Sequence, residues 1–437
     1  MKAILRPVHF KSGMDDEFNN HLKLMKELLK DEADILKPVM LGKAVGDVDG
    51  IIFPQLLGDA FRYVNLLKKI NLPLLITTSD FGAVNMWDWE IVTFLKSAGL
   101  NVFAPYNLEL TKKICTSLAL KRDMKKTKFL VFQDNPGVGM QAEIFKRFYW
   151  WEERSERLMR EKFGVKLVKK SFKRLAARAK KIPDKLAAAE SKKWGIPTEG
   201  VSERALNSAY KIYLAVKEEI EKDPAIKGAG INCLNESFHS DTTPCLAWSI
   251  LYEEKGLVWA CEADTMSLMT KYIINKSIDA DIIMSNVYPF LMGMAALKHE
   301  RIEKFPEVDE PENHLLIAHC GYFGLTPRCM AEEWTLKEKV LAIVDKNATV
   351  IDARLPSGDV TITKLHPDMD RLLAAPGKLS GYVQYPGSDC RNGGIIKVED
   401  GYRMMELFFS HHSCIAVGNK AEELKFMARV FDLEIVK

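Results

Sequence analysis

Over roughly the first 122 residues, short apolar runs alternate with amphipathic stretches. MKAILRPV opens as a strand, and residues 16–31 (DEFNNHLKLMKELLKD) repeat apolar side chains at helical spacing. GIIFPQLL (50–57), LPLLITTS (72–79) and LNVFAP (100–105) read as short buried strands, with helices around 58–69 and 88–97 between them. Strand–helix alternation of this kind predicts a parallel sheet in an open α/β layer. Ligands on such sheets sit beyond the carboxyl ends of the strands. Pro54-Gln55 and Ser79-Asp80-Phe81-Gly82 occupy those positions.

A second α/β unit begins at KFLVFQDNPGVGM (128–140), where a strand runs into a turn carrying Asp134 and Asn135. The segment has neither GxGxxG nor GxxxxGK[ST], so it reads as a plain strand-to-helix turn rather than a phosphate cradle. Residues 141 to about 225 are predominantly helical and basic, and from 226 to 330 apolar strands return in AGINCL, GLVWAC, ADIIMSN and HLLIAHC. The last hundred residues change character, with Val/Thr alternation in ATVIDARL and VTITKL, Gly-rich turns, then a helix (KAEELKFMARVF) and a final strand (LEIVK). The expected fold class is α/β, with two open parallel-sheet α/β domains followed by an antiparallel β-rich C-terminal domain. The expected boundaries are 1–122, 123–338 (with the basic helical insertion at about 141–225) and 339–437.

Composition narrows the class. At 437 residues the chain exceeds one ordinary core, and 47% hydrophobic with 28% charged residues describes a soluble globular enzyme. Sixty-two basic against 59 acidic residues leave a net charge of +3, which implies no general affinity for polyanions. A nucleic-acid surface built from Lys169, Lys170, Lys173, Arg174 and Arg178 beside Trp150 and Trp151 is therefore disfavoured against a solvated helix face, because acidic residues are interleaved. The eight cysteines form no CxxC pair, which argues against a zinc ribbon or disulfide framework and for a reducing compartment. MKAILRPVHFKSG has no apolar signal core, and no stretch of 18 apolar residues occurs, so a cytoplasmic protein without a membrane partner is expected.

The candidate chemistry lies in ionisable groups embedded in apolar sequence. Glu236 ends GAGINCLNE, Glu262 and Asp264 sit in LVWACEAD, His319 follows HLLIA, and His411-His412 follow MMELFFS. Each costs several kcal/mol to bury unpaired, and a divalent metal held by two carboxylates and an imidazole would satisfy several at once. Glu262 and Asp264 point the same way only if the chain is still extended there. Asp264 also precedes TMSLMTKYII and is placed to cap that helix. Of the paired histidines, strand geometry lets one face the site. His239, His299, His314 and His366 lie in charged or loop contexts and are given no role. Two carboxylates and one histidine suit Mn²⁺ or Mg²⁺ better than zinc. Such a metal polarises a hydroxycarbonyl while a flanking carboxylate moves a proton between neighbouring carbons, which is aldose–ketose isomerisation through an enediol. No nicotinamide, flavin or pyridoxal motif is present.

Taken in order, NCLNE (232–236), ACEADTMSLMT (260–270), AHCG (318–321), CRNGGIIKV (390–398) and SHHSCIAVGNKAEELKFMARVFDLEIV (410–436) resemble the L-fucose/L-arabinose isomerase superfamily, most closely its shorter L-fucose isomerase-like branch. The resemblance spans essentially the whole chain. It implies three domains, a Mn²⁺-type site (Mg²⁺ or Co²⁺ as alternatives), an enediol mechanism on a free sugar, and a homo-oligomer, trimer or hexamer, whose sites are completed across a subunit contact. By residue it implies Glu236 as first carboxylate ligand and acid/base group, Asp264 as second ligand and proton-transfer partner, and His412 as imidazole ligand. Glu262, His319 and His411 are then close neighbours of the metal shell, with the choice between His411 and His412 left open. Apart from the resemblance, Arg391 or Lys364 is expected to contact the substrate. The basic stretch from 145 to 200 is longer than in that branch, and His239 with Asp241-Thr242-Thr243 has no counterpart there, which leaves the sugar unassigned. The competing expectation is a non-catalytic sugar-binding protein with two α/β lobes.

Overall fold

In a computed structural model of the chain, residues 1–10, 13–55, 57–134, 153–233, 239–290, 307–318, 326–338, 347–383 and 393–437 are described. The chain divides into two compact units. The first comprises Met1–Met124, Lys276–Asp279 and Glu422–Asp432; the second comprises Lys125–Asn275, Ala280–Ala421 and Leu433–Lys437.

The first unit holds strands β1 (Ala3–His9), β2 (Ala33–Ile35), β3 (Val39–Met40), β4 (Gly50–Phe53), β5 (Leu74–Ile76) and β6 (Val102–Phe103). They pair in parallel in the order β2-β1-β4-β5-β6, with β3 joining the far end of β1. Their continuous apolar runs suit a sheet covered on both faces, and Val8, Ile51, Phe53, Leu74, Ile76 and Val102 share one core with Val92 and Leu95. The helix Asp16–Leu28 starts where Asp15 accepts a hydrogen bond from the Phe18 amide, and it buries Phe18, Leu22 and Met25 on one stripe. The helix Ala421–Val430, near the end of the chain, returns to this unit. Arg429 donates to the Val102 carbonyl at 2.6 Å with its guanidinium over the Phe103 ring, and Lys121 donates to the Val430 carbonyl, also at 2.6 Å.

The second unit opens with β7 (Lys128–Phe132), β8 (Lys166–Lys170), β9 (Thr198–Glu199), β10 (Ile226–Ile231) and β11 (Val258–Cys261). A parallel sheet runs β11-β10-β7-β8. The strand β8, KLVKK, lies inside the stretch expected to be helical. Its lysines disguise it in sequence, and they suit an edge strand because charge deters a further strand from pairing there.

The remaining strands are β12 (Ile282–Pro289), β13 (His314–Ala318), β14 (Glu333–Glu338), β15 (Thr349–Arg354), β16 (Gly358–Leu365), β17 (Arg371–Val383), β18 (Gly393–Lys397), β19 (His412–Val417) and β20 (Glu434–Val436). Pairing runs β16-β19-β12-β13-β18-β17, and β17 pairs back onto β16, so six antiparallel strands close on themselves while β20 adds in parallel to β17. Closure removes the exposed edges that an open sheet would carry. Ile283, Val287, Leu315, Ile317, Val360, Ile362, Leu373, Ile396 and Ile415 fill its core. A Cβ added to Gly393 would lie 1.7 Å from the Ile317 carbonyl oxygen, so the β13–β18 pairing requires glycine there.

The fold is thus mixed α/β, with parallel-sheet regions and a separate antiparallel sheet toward the C-terminus. Two details differ from the sequence pattern. The strands β12 and β13, ADIIMSN and HLLIAHC in the sequence, pair antiparallel within the closed sheet, although they lie in the segment read as the second α/β domain. A wholly apolar run is equally at home in a parallel sheet and in a barrel wall, so periodicity does not separate the two. Of the two Val/Thr segments, VTITKL enters the closed sheet as β16, whereas ATVIDARL forms β15 in a small sheet with β14 and β9.

Ile415 is fully buried and sits mid-strand in β19. Ile415→Ala is expected to cost about 2–5 kcal/mol, read as a lower urea midpoint at unchanged slope. A loss below about 1 kcal/mol would contradict a closed core at this position.

Candidate active site

The site grows from the end of β11. Glu262 and Ala263, directly after that strand, both hold left-handed backbone conformations, with φ of 56° and 55°. Two successive non-glycine residues in this region are uncommon and costly, and such strain concentrates at functional positions. The neighbouring strand makes room for the bend. A Cβ on Gly230 of β10 would meet the Ala260 carbonyl oxygen at 3.0 Å and the Ala263 Cα at 3.1 Å. The bend closes when the Asp264 amide donates to the Cys261 carbonyl at 2.9 Å.

Asp264 then caps the helix Thr265–Ile278. Its Oδ1 accepts from the Ser267 amide and its Oδ2 from the Ser267 hydroxyl, both at 2.8 Å. Two barrel strands deliver further groups to the same carboxylate. From β16 the Lys364 ammonium approaches Oδ2 at 3.1 Å and also donates to the Ser267 hydroxyl, and from β19 His412 Nδ1 approaches Oδ2 at 2.9 Å. Asp264 and Lys364 have no exposed side-chain surface, and His412 has 1%. On its other side, His412 Nε2 lies 3.7 Å from Glu262 Oε1. The helix is tied to β16 a second time, where the Leu365 amide donates to the Thr270 hydroxyl at 3.0 Å.

Electrostatics follow from this geometry. Burial alone would raise the Asp264 pKa, but the Lys364 cation and the His412 hydrogen bond outweigh it and hold the carboxyl well below the ordinary range. Burial lowers His412 against the pull of Asp264, and burial, reinforced by the neighbouring titratable imidazole of His412, pushes His411 down to about 3. Both imidazoles are therefore neutral near pH 7. With an ionised carboxylate at Nδ1, the proton of His412 belongs on that nitrogen, which leaves the Nε2 lone pair turned toward Glu262. His411 stacks on Tyr288, with centroids 6.3 Å apart, and its ring lies 4.4 Å from that of His412.

The groups expected from sequence are thus partly brought together. Glu262, Asp264, His411 and His412 converge although Asp264 and His412 are 148 residues apart in the chain. Glu236, His319 and Arg391 lie outside the described residues. For a divalent cation, Glu262 and His412 Nε2 form a fitting pair of oxygen and nitrogen donors. Asp264, expected as a ligand, instead has both oxygens engaged by Ser267, Lys364 and His412. Carboxylate–imidazole pairs of this kind orient a histidine for a metal on its far nitrogen.

Sequence reasoning offered Lys364 only as a substrate contact and did not single out Ser267. The available signal for Lys364 was its place in VTITKL, a strand pattern in which a lysine ends an apolar run. Gln133 and Asn232 were also missed. Both are buried at adjacent carboxyl ends of β7 and β10, and their amide groups have no hydrogen-bond partner among the described residues. Each directly follows an apolar run, as Glu262 does.

Other clusters have local explanations. His366, Asp368 and Asp370 come within ligand distance of one another, but Arg371 donates to the His366 ring and Arg154 to Asp368, so cations already neutralise them. The basic residues Lys169, Lys170 and Arg178 pair with Glu156, Glu219 and Glu218. In the first unit a polar cavity of about 610 Å³ opens beyond the carboxyl end of β5, lined by Glu17, His21, Thr78, Asp80 and Asn85. Compared with known proteins, the chain matches no protein-family model and no curated protein.

Removing the buried cation leaves Asp264 uncompensated, so Lys364→Met is expected to cost about 3–5 kcal/mol in urea unfolding, and Asp264→Asn with Lys364→Met to recover part of that loss. A double-variant loss equal to the sum of the two single-variant losses would mean the pair is not coupled.

A second buried lysine gives a pH test. Lys271 donates to the Trp259 carbonyl at 2.8 Å over the Trp259 ring, and burial pulls its pKa down from 10.5 to about 8. Below pH 8 the folded chain carries the full burial penalty. Between 8 and 10.5 the folded chain releases the proton while the unfolded chain keeps it, so this contribution to stability rises with pH. The stability of Lys271→Met relative to wild type should therefore fall by about 1–3 kcal/mol across that window, and a pH-independent difference would refute the assignment.

Proposed function

We propose that the protein is a metal-dependent aldose–ketose isomerase acting on a free sugar through an enediol intermediate. The observation carrying this reading is the buried chain Lys364–Asp264–His412–Glu262, assembled from a strained strand end and two barrel strands. Such a chain prepares one imidazole nitrogen and one carboxylate oxygen for a cation. Mn²⁺ suits these donors, with Mg²⁺ or Co²⁺ as alternatives.

In this reading Glu262 and His412 hold the ion, joined by Glu236 from the segment after β10. Asp264 is a positioning residue that fixes the tautomer and ring orientation of His412, and Lys364 keeps Asp264 ionised. When bound, the ion supplies Lewis acidity toward adjacent hydroxyl and carbonyl oxygens of the open-chain sugar. Proton movement between the two carbons needs a carboxylate outside the saturated Asp264 network, and Glu236 is assigned that role. Gln133 and Asn232, at adjacent carboxyl ends of β7 and β10 and without a hydrogen-bond partner for their side-chain amides among the described residues, have the chemistry to bind sugar hydroxyls.

A homo-oligomer belongs to the same proposal. Phe81, Met86, Trp87 and Trp89 are 80%, 74%, 73% and 65% exposed within one short segment of the first unit, an apolar density suited to a subunit contact. No helix among the described residues is long and apolar enough to cross a membrane. A cytoplasmic location is proposed from the scattered cysteines.

The test is turnover with Mn²⁺ across L-fucose, D-arabinose, L-arabinose and related sugars. Glu262→Gln and His412→Gln should each lower kcat by about a hundredfold or more with the fold intact, and Asp264→Asn should weaken Mn²⁺ binding about 10–100-fold. No turnover of any sugar by folded, Mn²⁺-loaded protein would overturn the isomerase. Sugar binding that survives in Glu262→Gln, without turnover in wild type, would favour the non-catalytic binding protein.

A further inference from the structure

Two thiols meet beside the proposed site and take no part in the mechanism above. Cys261 is the last residue of β11, and Cys233 follows the end of the neighbouring parallel strand β10, where Ile231 is paired with Cys261. Their sulfurs are 3.0 Å apart, inside the sum of two sulfur van der Waals radii, and neither is in a disulfide. A disulfide requires sulfurs at about 2.05 Å, an approach of about 1 Å from the observed separation. Cys233 is half-buried while Cys261 is buried, so Cys233 is the more accessible of the two thiols, with the second sulfur in contact with it. Pairing an accessible thiol with a resolving one is the arrangement that captures a first oxidation product before it goes further.

We propose that Cys233 and Cys261 form a redox-active dithiol that peroxide closes into a disulfide, joining the carboxyl ends of β10 and β11. In the first step the Cys233 sulfur attacks hydrogen peroxide. The O–O bond breaks, the sulfur gains one oxygen to become a sulfenic acid, and water leaves. In the second step the Cys261 sulfur attacks that sulfenic sulfur. The S–S bond forms, the S–O bond breaks, and the thiol proton departs with the hydroxide as a second water. Overall two thiols lose two electrons and two protons, and one peroxide is reduced to two waters.

The position of the pair gives the bond a consequence. Cys261 directly precedes Glu262, and the bend through Glu262 and Ala263 is held against Gly230 of β10. A covalent link between the two strand ends restrains the bend that carries Glu262. Resting on the isomerase proposal, oxidation is then a regulator of the site, lowering turnover severalfold and reversibly.

The experiment treats the full-length reduced protein with hydrogen peroxide, alkylates the remaining thiols, and maps peptides by mass. The expected result is a linked Cys233–Cys261 peptide lacking two hydrogens, restored to two alkylatable thiols by dithiothreitol and absent in Cys233→Ser and in Cys261→Ser. Cys233→Ala serves if either serine variant fails to fold. Sulfinic acid on Cys233 with Cys261 still alkylatable, or a link from either residue to another cysteine, overturns the proposal. The turnover arm is separate. A disulfide that forms in a protein with no turnover refutes the isomerase and keeps the dithiol, whereas turnover without any disulfide refutes the dithiol and keeps the isomerase. If wild type and Cys233→Ser lose turnover equally under peroxide, the bond does not regulate the site.

Discussion

An ionised carboxylate with no exposed surface exists in a protein only if its surroundings replace the water it has lost. Asp264 meets that condition through Lys364, His412 and both donors of Ser267, and much of the second unit's local order follows from it. The pair is costly in isolation, since desolvating two charges consumes most of their attraction. It becomes tolerable because the carboxylate also satisfies the first turn of the helix Thr265–Ile278, whose amides need an acceptor in any case. One side chain thereby fastens a helix start, two barrel strands and an imidazole.

Barrel closure is what makes that convergence possible. Ile362 and Ile415 are paired across β16 and β19 and both lie in the barrel core. Along β19 the alternate residues His412 and Cys414 turn to the helix instead, with Cys414 Sγ 3.9 Å from the Ser267 carbonyl. On β19 the two-residue period therefore devotes one face to packing and the other to the site, whereas on β16 Lys364 follows the core residues Val360 and Ile362 at the same parity. The left-handed turn at Glu262 and Ala263 then brings a second carboxylate to the Nε2 side of His412.

The two buried lysines show how surroundings decide the fate of a charge. Lys364 faces a carboxylate. Lys271 faces a carbonyl oxygen and the ring of Trp259, which compensate a cation only in part, and its affinity for the proton falls accordingly. Both sit in apolar sequence, VTITKL and LMTKYII, and the residues beside them do not tell them apart. The difference lies in the partners that the fold brings to each, Asp264 from 100 residues away for Lys364 and Trp259 from the preceding strand for Lys271.

Much of the framework was written in local pattern. The continuous apolar runs of β1, β4, β5, β7, β10 and β11 predicted parallel strands, because a strand covered on both faces must be apolar throughout. ACEAD and SHHSC drew notice because ionisable groups there must be buried, and the helix-capping position of Asp264 was visible in the residue that follows it. Pairing partners were not visible. Whether HLLIA lies in a parallel sheet or a barrel wall depends on strands outside its own segment, and whether Lys364 meets a carboxylate and which nitrogen of His412 is held depend on a residue a hundred or more positions away. By itself the sequence determined which side chains leave water, since hydrophobic periodicity is a local property. Only the tertiary structure decided which of them meet, because hydrogen bonds and ion pairs act over a few ångströms and nothing in the linear order brings Asp264 that close to Lys364 and His412.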